Sequence, residues 1–239
     1  MKYPGPNPPV RAIPDATLRR LPIYHHLLQA MLLTGVTNVS CTTIASALDL
    51  DSTQVRKDIE ATGIVGKPKV GYSLVVLARW IEHFLGWNNT NEAVLVGAGS
   101  LGSALLGYEK FRQLGFNLVA AFDTDPRKVG QSIAGKEVLH LDNLVELARR
   151  LHIHLGVIAT PSIAAQGIAD LMVEGGIRAI WNFAPVHLRV PGFVILQNED
   201  LYHSLASLSF RLERMMLNER AIATQPSEAV SSLPAEPVE

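Results

Sequence analysis

The sequence predicts an α/β protein in two parts: a helical head carrying a helix-turn-helix and a wing, then a parallel sheet whose strands alternate with helices. Three observations point there. Apolar runs of strand length recur from residue 92 onward, with helical patterns of roughly 10–15 residues between them. Before residue 92 the apolar residues recur instead at helical spacing, in the order helix, tight break, helix. The 239 residues are 48% hydrophobic and 18% charged, enough for a substantial core.

The elements follow in order. Pro4, Pro6, Pro8 and Pro9 predict a flexible lead over residues 1–11, because proline supplies no ladder hydrogen bonds. Leu18, Leu21, Leu28 and Leu32 predict a helix over Asp15–Leu33, bent or interrupted at Pro22 and ended by Gly35. Two short helices follow, Thr42–Leu48 and Ser52–Ile59, with Asp49-Leu50-Asp51 as the turn and Ser52 or Asp51 as the cap. The stretch from Lys67 to Tyr72 suits a hairpin with a basic tip. A further helix covers Ser73–Leu85, and residues 86–91 form a polar hinge. Strands are then predicted over Glu92–Gly97, Phe116–Asp123, Val138–His140, Ile153–Ala159, Ala179–Asn182 and Phe193–Leu196. The intervening helices are Leu101–Leu114, Asp142–Leu151 and Ser162–Glu174. A last amphipathic helix covers about Leu201–Leu217, and the Pro-, Ser- and Glu-rich end predicts a disordered tail over 219–239. The domains expected are thus 12–87, 88–199 and a terminal helix, 200–218.

Composition narrows the function. The formal net charge is -1, which does not suggest nucleic acid. The total conceals an asymmetry: residues 1–86 hold nine Lys or Arg against six acids, a net of +3, and the remainder carries -4. One cysteine, Cys41, leaves no intramolecular disulfide and no Cys-rich zinc site, and the eight histidines form no metal-binding pattern. No signal segment and no membrane-spanning apolar run is visible, so a cytoplasmic protein is expected.

Gly97-Ala98-Gly99-Ser100-Leu101-Gly102 fits G-x-G-x-x-G directly after a buried strand and at the start of a helix. That is the setting in which the motif holds a pyrophosphate: Gly97 permits the turn, Gly99 lets the phosphates approach the backbone, and Gly102 lets helix and strand lie close. The second part is therefore expected to be a Rossmann-like dinucleotide-binding sheet. Asp123 ends the second strand, 21 residues after Gly102, where an acid accepts from a ribose and disfavours a 2′-phosphate. Asp125 is a second candidate, and Arg127 and Lys128 weaken the case against a phosphate. Beside this site no general acid stands out. Thr160-Pro161 and Asn182-Phe183-Ala184-Pro185 can shape an apolar pocket, and His187 is the best-placed acid if the chain were an NAD-dependent oxidoreductase with an accessory N-terminal domain.

In the head, Val55 and Ile59 lie four apart and face the core. Gln54, Arg56 and Lys57 are then left for base edges or phosphates in a major groove, with Ser52 and Thr53 at the helix N-terminus. Lys67 and Lys69 around Pro68 would act as a wing against backbone or minor groove.

An ordered set of segments resembles the redox-sensing transcriptional repressor family Rex, over roughly residues 12–217. They are Ile13-Pro14-Asp15-Ala16-Thr17, Arg19 to Tyr24, Gln54-Val55-Arg56-Lys57-Asp58, Val70-Gly71-Tyr72, Val96 to Gly102, Phe122 to Pro126 and Asn182 to Pro185. The resemblance implies a homodimeric, non-enzymatic repressor with a winged-helix head, a Rossmann-like domain and a C-terminal helix swapped between subunits. It implies binding to double-stranded operator DNA and release when NADH closes the dimer, with NAD⁺ competing more weakly. It assigns DNA contacts to the positions matching Arg56, Lys57 and the wing. It assigns the phosphate turn to Gly97–Gly102, the ribose acid to Asp123, and the nicotinamide region to Thr160, Pro161, Phe183, Ala184 and Pro185. Three departures stand out. The recognition helix continues Ile59-Glu60-Ala61-Thr62 where the family commonly has a small polar residue and an aromatic pair. The wing has Pro68-Lys69 in place of an Arg-Gly pair. The family's Tyr, Asp and Arg switch group matches Tyr108, Asp200 and His26, so histidine stands in the arginine position.

Overall fold

The computed structural model describes residues 13–68, 70–89, 91–199 and 201–223, apart from the side chains of Leu201 and 220–223. The expected lead, most of the expected tail, Lys69 and Asp200 lie outside the described residues. The described residues form two compact units. One takes those of 1–93 with 104–119 and 133–136, and the other takes those of 94–103, 120–132 and 137–239.

In the first unit, α1 (Asp15–Leu32) continues through Pro22 without interruption. Proline there costs one helical hydrogen bond. Leu21, Tyr24 and Leu28 on the buried stripe are fully buried and hold both sides of Pro22 in one helix. In α2 (Cys41–Leu48), Ser40 Oγ caps the N-terminus by accepting from Thr43 N–H at 3.0 Å. Asp49, in the left-handed region at φ 53°, ends the helix. Next comes α3 (Ser52–Ala61), capped by Asp51 rather than Ser52: Asp51 Oδ1 accepts from Gln54 N–H at 2.9 Å. After α4 (Leu74–Phe84), the head core is complete, with Leu28, Ile44, Val55, Ile59, Leu77 and Ile81 fully buried. Each such side chain contributes about 1.5–3 kcal/mol by leaving water. The wing is shorter than a full hairpin. Strand β1 (Asn38–Val39) pairs antiparallel with β2 (Tyr72–Ser73), and before β2 a single antiparallel bridge joins Lys67 and Gly71. Gly71 has φ +86° and lies so close to the Val39 carbonyl that no side chain fits there.

The sheet comprises β3 (Asn91–Val96), β4 (Phe116–Asp123), β5 (Ser132–Ile133), β6 (Lys136–His140), β7 (Leu155–Ile158), β8 (Ala179–Asn182) and β9 (Ile195–Asn198), in the order β5-β6-β4-β3-β7-β8-β9. The pairs β4–β6, β7–β8 and β8–β9 are parallel. Ala93, Val94 and Leu95 of β3 are fully buried, as a strand covered on both faces requires. The helices between are α5 (Ser100–Leu106), α6 (Lys110–Gln113), α7 (Leu144–Arg150) and α8 (Ser162–Glu174), and α9 (Leu201–Ala223) closes the described chain. Three details differ from expectation, the first being that the last strand starts at Ile195 and not at Phe193. The helix expected over Leu101–Leu114 breaks at Gly107-Tyr108-Glu109, where glycine gives the helix little to hold it. The small strand β5 precedes β6, joined by Ala134 (φ 51°) and Gly135 (φ 75°), the paired left-handed residues of a two-residue hairpin turn.

Candidate functional site

Strand order places a crevice at one point of the sheet. From β3 the chain moves to β4 and β6 on one side and then crosses to β7 on the other, so the connections leaving β3 and β7 diverge. Open parallel sheets bind ligands at such a switch point, beyond the carboxyl ends of the strands. Here the ends are joined by hydrogen bonds: Gly97 N–H donates to Phe122 O, and Ala159 N–H to Val96 O, both at 2.8 Å. A cleft of about 600 Å³ opens there, lined by Gly97, Gly99, Asp123, Lys128, Thr160 and Pro161 among others.

The glycines of the turn after β3 are distinguished by what a side chain would meet. Gly97 has φ +103° and faces the Ala159 carbonyl, and Gly102 faces the Gly97 carbonyl, so neither admits a Cβ. Gly99 has nothing within 4 Å and lines open space in the cleft. Asp123 ties the turn to the end of β4. Its Oδ2 accepts from Ala98 N–H and from the Lys128 ammonium, both at 2.9 Å, and its Oδ1 accepts from Asp125 N–H at 2.9 Å. Burial alone would raise its pKa, but these donors outweigh it and hold the carboxyl below its ordinary value. Arg127 forms a fork on Asp125 at 3.0 and 2.8 Å. This pairing, with a backbone bond to the same carboxylate, holds Asp125 at about 2. Arg127 is therefore turned to Asp125, and Lys128 is the cation that lines the cleft.

The cleft fits a dinucleotide on its own chemistry. Thr160 Oγ1 is buried and has no partner among the described residues, a hydroxyl placed to meet a polar ligand atom. The open face of Gly99 and the ionised Asp123 supply the other two features, a backbone approach and a hydrogen-bond acceptor.

The neighbouring strand end is built by a residue the sequence reading named only as part of a motif. Asn182 is fully buried. Its Nδ2 donates to Ala184 O at 3.2 Å, Val186 O at 3.1 Å and Asn198 Oδ1 at 2.9 Å, while its Oδ1 accepts from Ala184 N–H at 3.0 Å. It fixes the Phe183–Val186 loop. The available signal was its place, an amide at a strand end before a proline-containing loop. Phe183 packs on Trp181 with ring centroids 4.7 Å apart. Ala184 and Pro185 line a second depression, together with His187 and Tyr202. His187 is not among the residues lining the cleft that holds Thr160.

In the head, α3 shows solvent one face made of Ser52, Thr53, Arg56, Lys57 and Glu60. Arg56, Glu60 and Lys67 line a groove of about 590 Å³ between α3 and the wing. Gln54 is half-buried, and its amide donates to Asp58 Oδ1 at 3.0 Å. His26 is exposed. Its neighbour His25 meets Glu82 Oε1 at 2.8 Å and stands edge-on to Trp87. Tyr108 is half-exposed, with its ring edge-on to Phe111 at 4.9 Å.

Comparison with known proteins matches both parts. The family model described as a CoA binding domain covers residues 88–186, and the model for a putative DNA-binding protein N-terminus covers 12–59. The chain is 44% identical over 192 residues to the redox-sensing transcriptional repressor Rex of Treponema denticola, covering 80% of this chain and 91% of that protein. It is 42% identical over 200 residues to the Rex of Desulforamulus reducens, covering 84% and 95%. The crystal structure of RSP in complex with beta-NAD+ and operator DNA aligns with a TM-score of 0.83 at 34% identity, over 90% of this chain and 99% of that one. The structure of RSP in complex with beta-NADH aligns at 0.79 and 34% identity, over 88% and 99%.

Proposed function

This chain belongs to the Rex family of redox-sensing transcriptional repressors, and from that membership we propose that it binds operator DNA as a homodimer and leaves it when NADH binds. The family is one of regulators, so the chain acts as a repressor and not as an enzyme. The observation that carries the proposal is the pairing, in one chain, of a dinucleotide cleft with an exposed cationic helix-turn-helix face.

Each residue has a role in this reading. Residues 12–87 form the reading head. Ser52, Thr53, Arg56 and Lys57 approach the duplex from α3, and Lys67 with Lys69 from the wing. Residues 88–199 hold the dinucleotide. Gly97, Ala98, Gly99, Ser100, Leu101 and Gly102 face the pyrophosphate, Asp123 and Lys128 the adenosine ribose, and Thr160, Pro161, Phe183, Ala184 and Pro185 the nicotinamide end. The Arg127–Asp125 fork takes one cation out of reach of a 2′-phosphate, which supports NADH over NADPH. His26, Tyr108 and Asp200 are the switch group. Residues 200–218 supply the helix exchanged between subunits. No helix among the described residues is long and apolar enough to cross a membrane, and the protein works in the cytoplasm, where its DNA is.

A ligand shifts this equilibrium only through its different affinities for the two dimer states. A neutral dihydronicotinamide suits an apolar pocket better than the NAD⁺ cation, so NADH is the stronger releasing ligand. Operator gel shifts titrated separately with NADH, NAD⁺, NADPH and CoA test this. Release at the lowest concentration by NADH is expected; equal release by NADH and NAD⁺ would overturn redox sensing. An oxidoreductase would instead turn over carbonyl substrates and lose that turnover in His187→Ala.

A further inference from the structure

A dense polar cluster among the described residues lies beneath the exposed face of α3. Asp58, on α3, is 1% exposed and accepts five hydrogen bonds from side chains. Three of its partners stand on one face of α1: Thr17 Oγ1 at 2.8 Å, Arg20 through Nε at 2.6 Å and Nη2 at 2.9 Å, and Tyr24 Oη at 2.7 Å. The fourth is Gln54, one turn back on α3 itself, at 3.0 Å. A carboxylate has about four lone-pair sites, so Asp58 has nothing left to offer a further ligand. It lines neither the groove beside the wing nor the cleft at the sheet.

Its position on α3 is informative. At about 100° per residue, Gln54 and Asp58 lie on the side of α3 opposite Arg56 and Glu60, which are exposed and line the groove beside the wing. Apolar contacts from Val55 and Ile59 press α3 inward, but apolar contacts are non-directional and tolerate rotation and sliding. The four directional bonds that reach Asp58 from α1 do not. A rotation of α3 by one residue would break all four and carry Arg56 out of the groove.

We propose that Asp58 is the positioning residue for DNA reading: it pins the rotation and axial setting of the recognition helix on α1, with Thr17, Arg20 and Tyr24 as its clamp and Gln54 bracing the carboxylate from α3 itself. Gln54 consequently serves Asp58 and does not read bases, and base reading falls to the face of Arg56, Lys57 and Glu60. The inference rests on the operator-binding function proposed above and assigns parts within it.

The test uses the full-length chain and duplexes enriched by the wild-type protein from a random double-stranded pool. Wild type, Asp58→Asn, Tyr24→Phe and Gln54→Ala are compared for affinity to an enriched duplex, affinity to a scrambled duplex, salt dependence and base preference. Non-specific affinity comes mostly from charge, whereas specific affinity also needs α3 preset in its docking pose. Asp58→Asn is expected to lose about tenfold or more for the enriched duplex while scrambled-duplex affinity and the salt slope hold. Tyr24→Phe should show the same pattern more weakly, and remains readable if Asp58→Asn does not fold. Gln54→Ala should keep the wild-type base preference at every position. A folded Asp58→Asn within about twofold of wild type, or an equal loss on both duplexes that cooling restores, would overturn the proposal, the second outcome being that of a merely stabilising group. A base preference altered at one position in Gln54→Ala would overturn it as well. If the wild-type protein enriched no duplex, the operator-binding function itself would fail, and with it this inference.

Discussion

Gly97, Gly99 and Gly102 are one letter repeated in the sequence, yet they answer to different constraints. Gly97 and Gly102 have no room for a Cβ because the Ala159 and Gly97 carbonyls occupy it, and Gly97 also sits at φ +103°. Gly99 has room and no neighbour. Packing explains the first two, and the proposed dinucleotide would explain the third. The two kinds are separable by experiment. Gly97→Ala should destabilise the protein by about 1–3 kcal/mol from backbone strain alone, seen as a lower Tm before any ligand is added. Gly99→Ala should leave the Tm of the ligand-free protein within about 1 °C of wild type and weaken NADH roughly tenfold or more in a fluorescence titration, because its methyl group occupies the space through which the phosphates approach. A Gly99→Ala protein with wild-type NADH affinity would mean that the pyrophosphate lies elsewhere.

At the scale of elements, the head is held by a joint between α1 and α3 whose strength depends on an ionised carboxylate. Burial opposes ionisation of Asp58, but the Arg20 fork and the Tyr24, Thr17 and Gln54 donors outweigh it and keep its pKa below 3.8. A depressed folded-state pKa contributes stability that is present above the unfolded value and is lost as pH falls through the folded one. The joint should therefore hold throughout the neutral range and fail only in acid, below about pH 4. Asp58→Asn should cost roughly 3 kcal/mol at pH 7, as removal of one partner from a buried ion pair does. It should also flatten the acid limb of a plot of Tm against pH, measured by circular dichroism from pH 7 to pH 3. A mutant with the same acid limb as wild type would place the acid sensitivity in other groups, Asp123 with its Lys128 partner first among them. This joint also marks what the sequence hid. Helices α1, α2 and α3 were legible from apolar spacing and caps, and so was the place of the glycine turn, between β3 and α5. The pairing of Asp58 with residues 34 to 41 positions earlier was not legible, because a polar contact between helices leaves no local period. For the same reason Gln54 read as a free polar residue on a helix. The break at Gly107 was hidden by the continuous helical pattern around it, and β5 by being two residues long.

At the scale of the whole molecule, α9 is the element that a single chain leaves unexplained. Leu205, Leu208, Leu212 and Met215 recur at alternating steps of three and four, the spacing of one apolar stripe on a helix, and are 62%, 64%, 53% and 52% exposed. Phe210 and Tyr202 are exposed as well. A stripe of this size costs solubility unless something covers it, and in the homodimer proposed above the cover is a second copy of the same helix. Charge strengthens the requirement. The whole chain carries -1, but its first 86 residues carry +3, which is modest for a DNA-binding head. Two heads on one duplex double the phosphate contacts and turn the second contact into an intramolecular one, which adds affinity without new chemistry. Dimerisation should therefore matter far more to DNA than to the dinucleotide, whose cleft residues from Gly97 to Pro161 come from one chain. The double substitution Leu208→Glu with Leu212→Glu should give a monomer in sedimentation at micromolar concentration. It should lower operator affinity by about 100-fold or more, at the low end of the gain expected from linking two binding modules. NADH affinity should stay within about threefold of wild type, because two substitutions on an exposed stripe leave the cleft intact. A monomer that kept wild-type operator affinity would show that one head suffices, and the covered stripe would then need another purpose. Loss of NADH binding in the same variant would instead show that the cleft is completed only when the second chain closes over it.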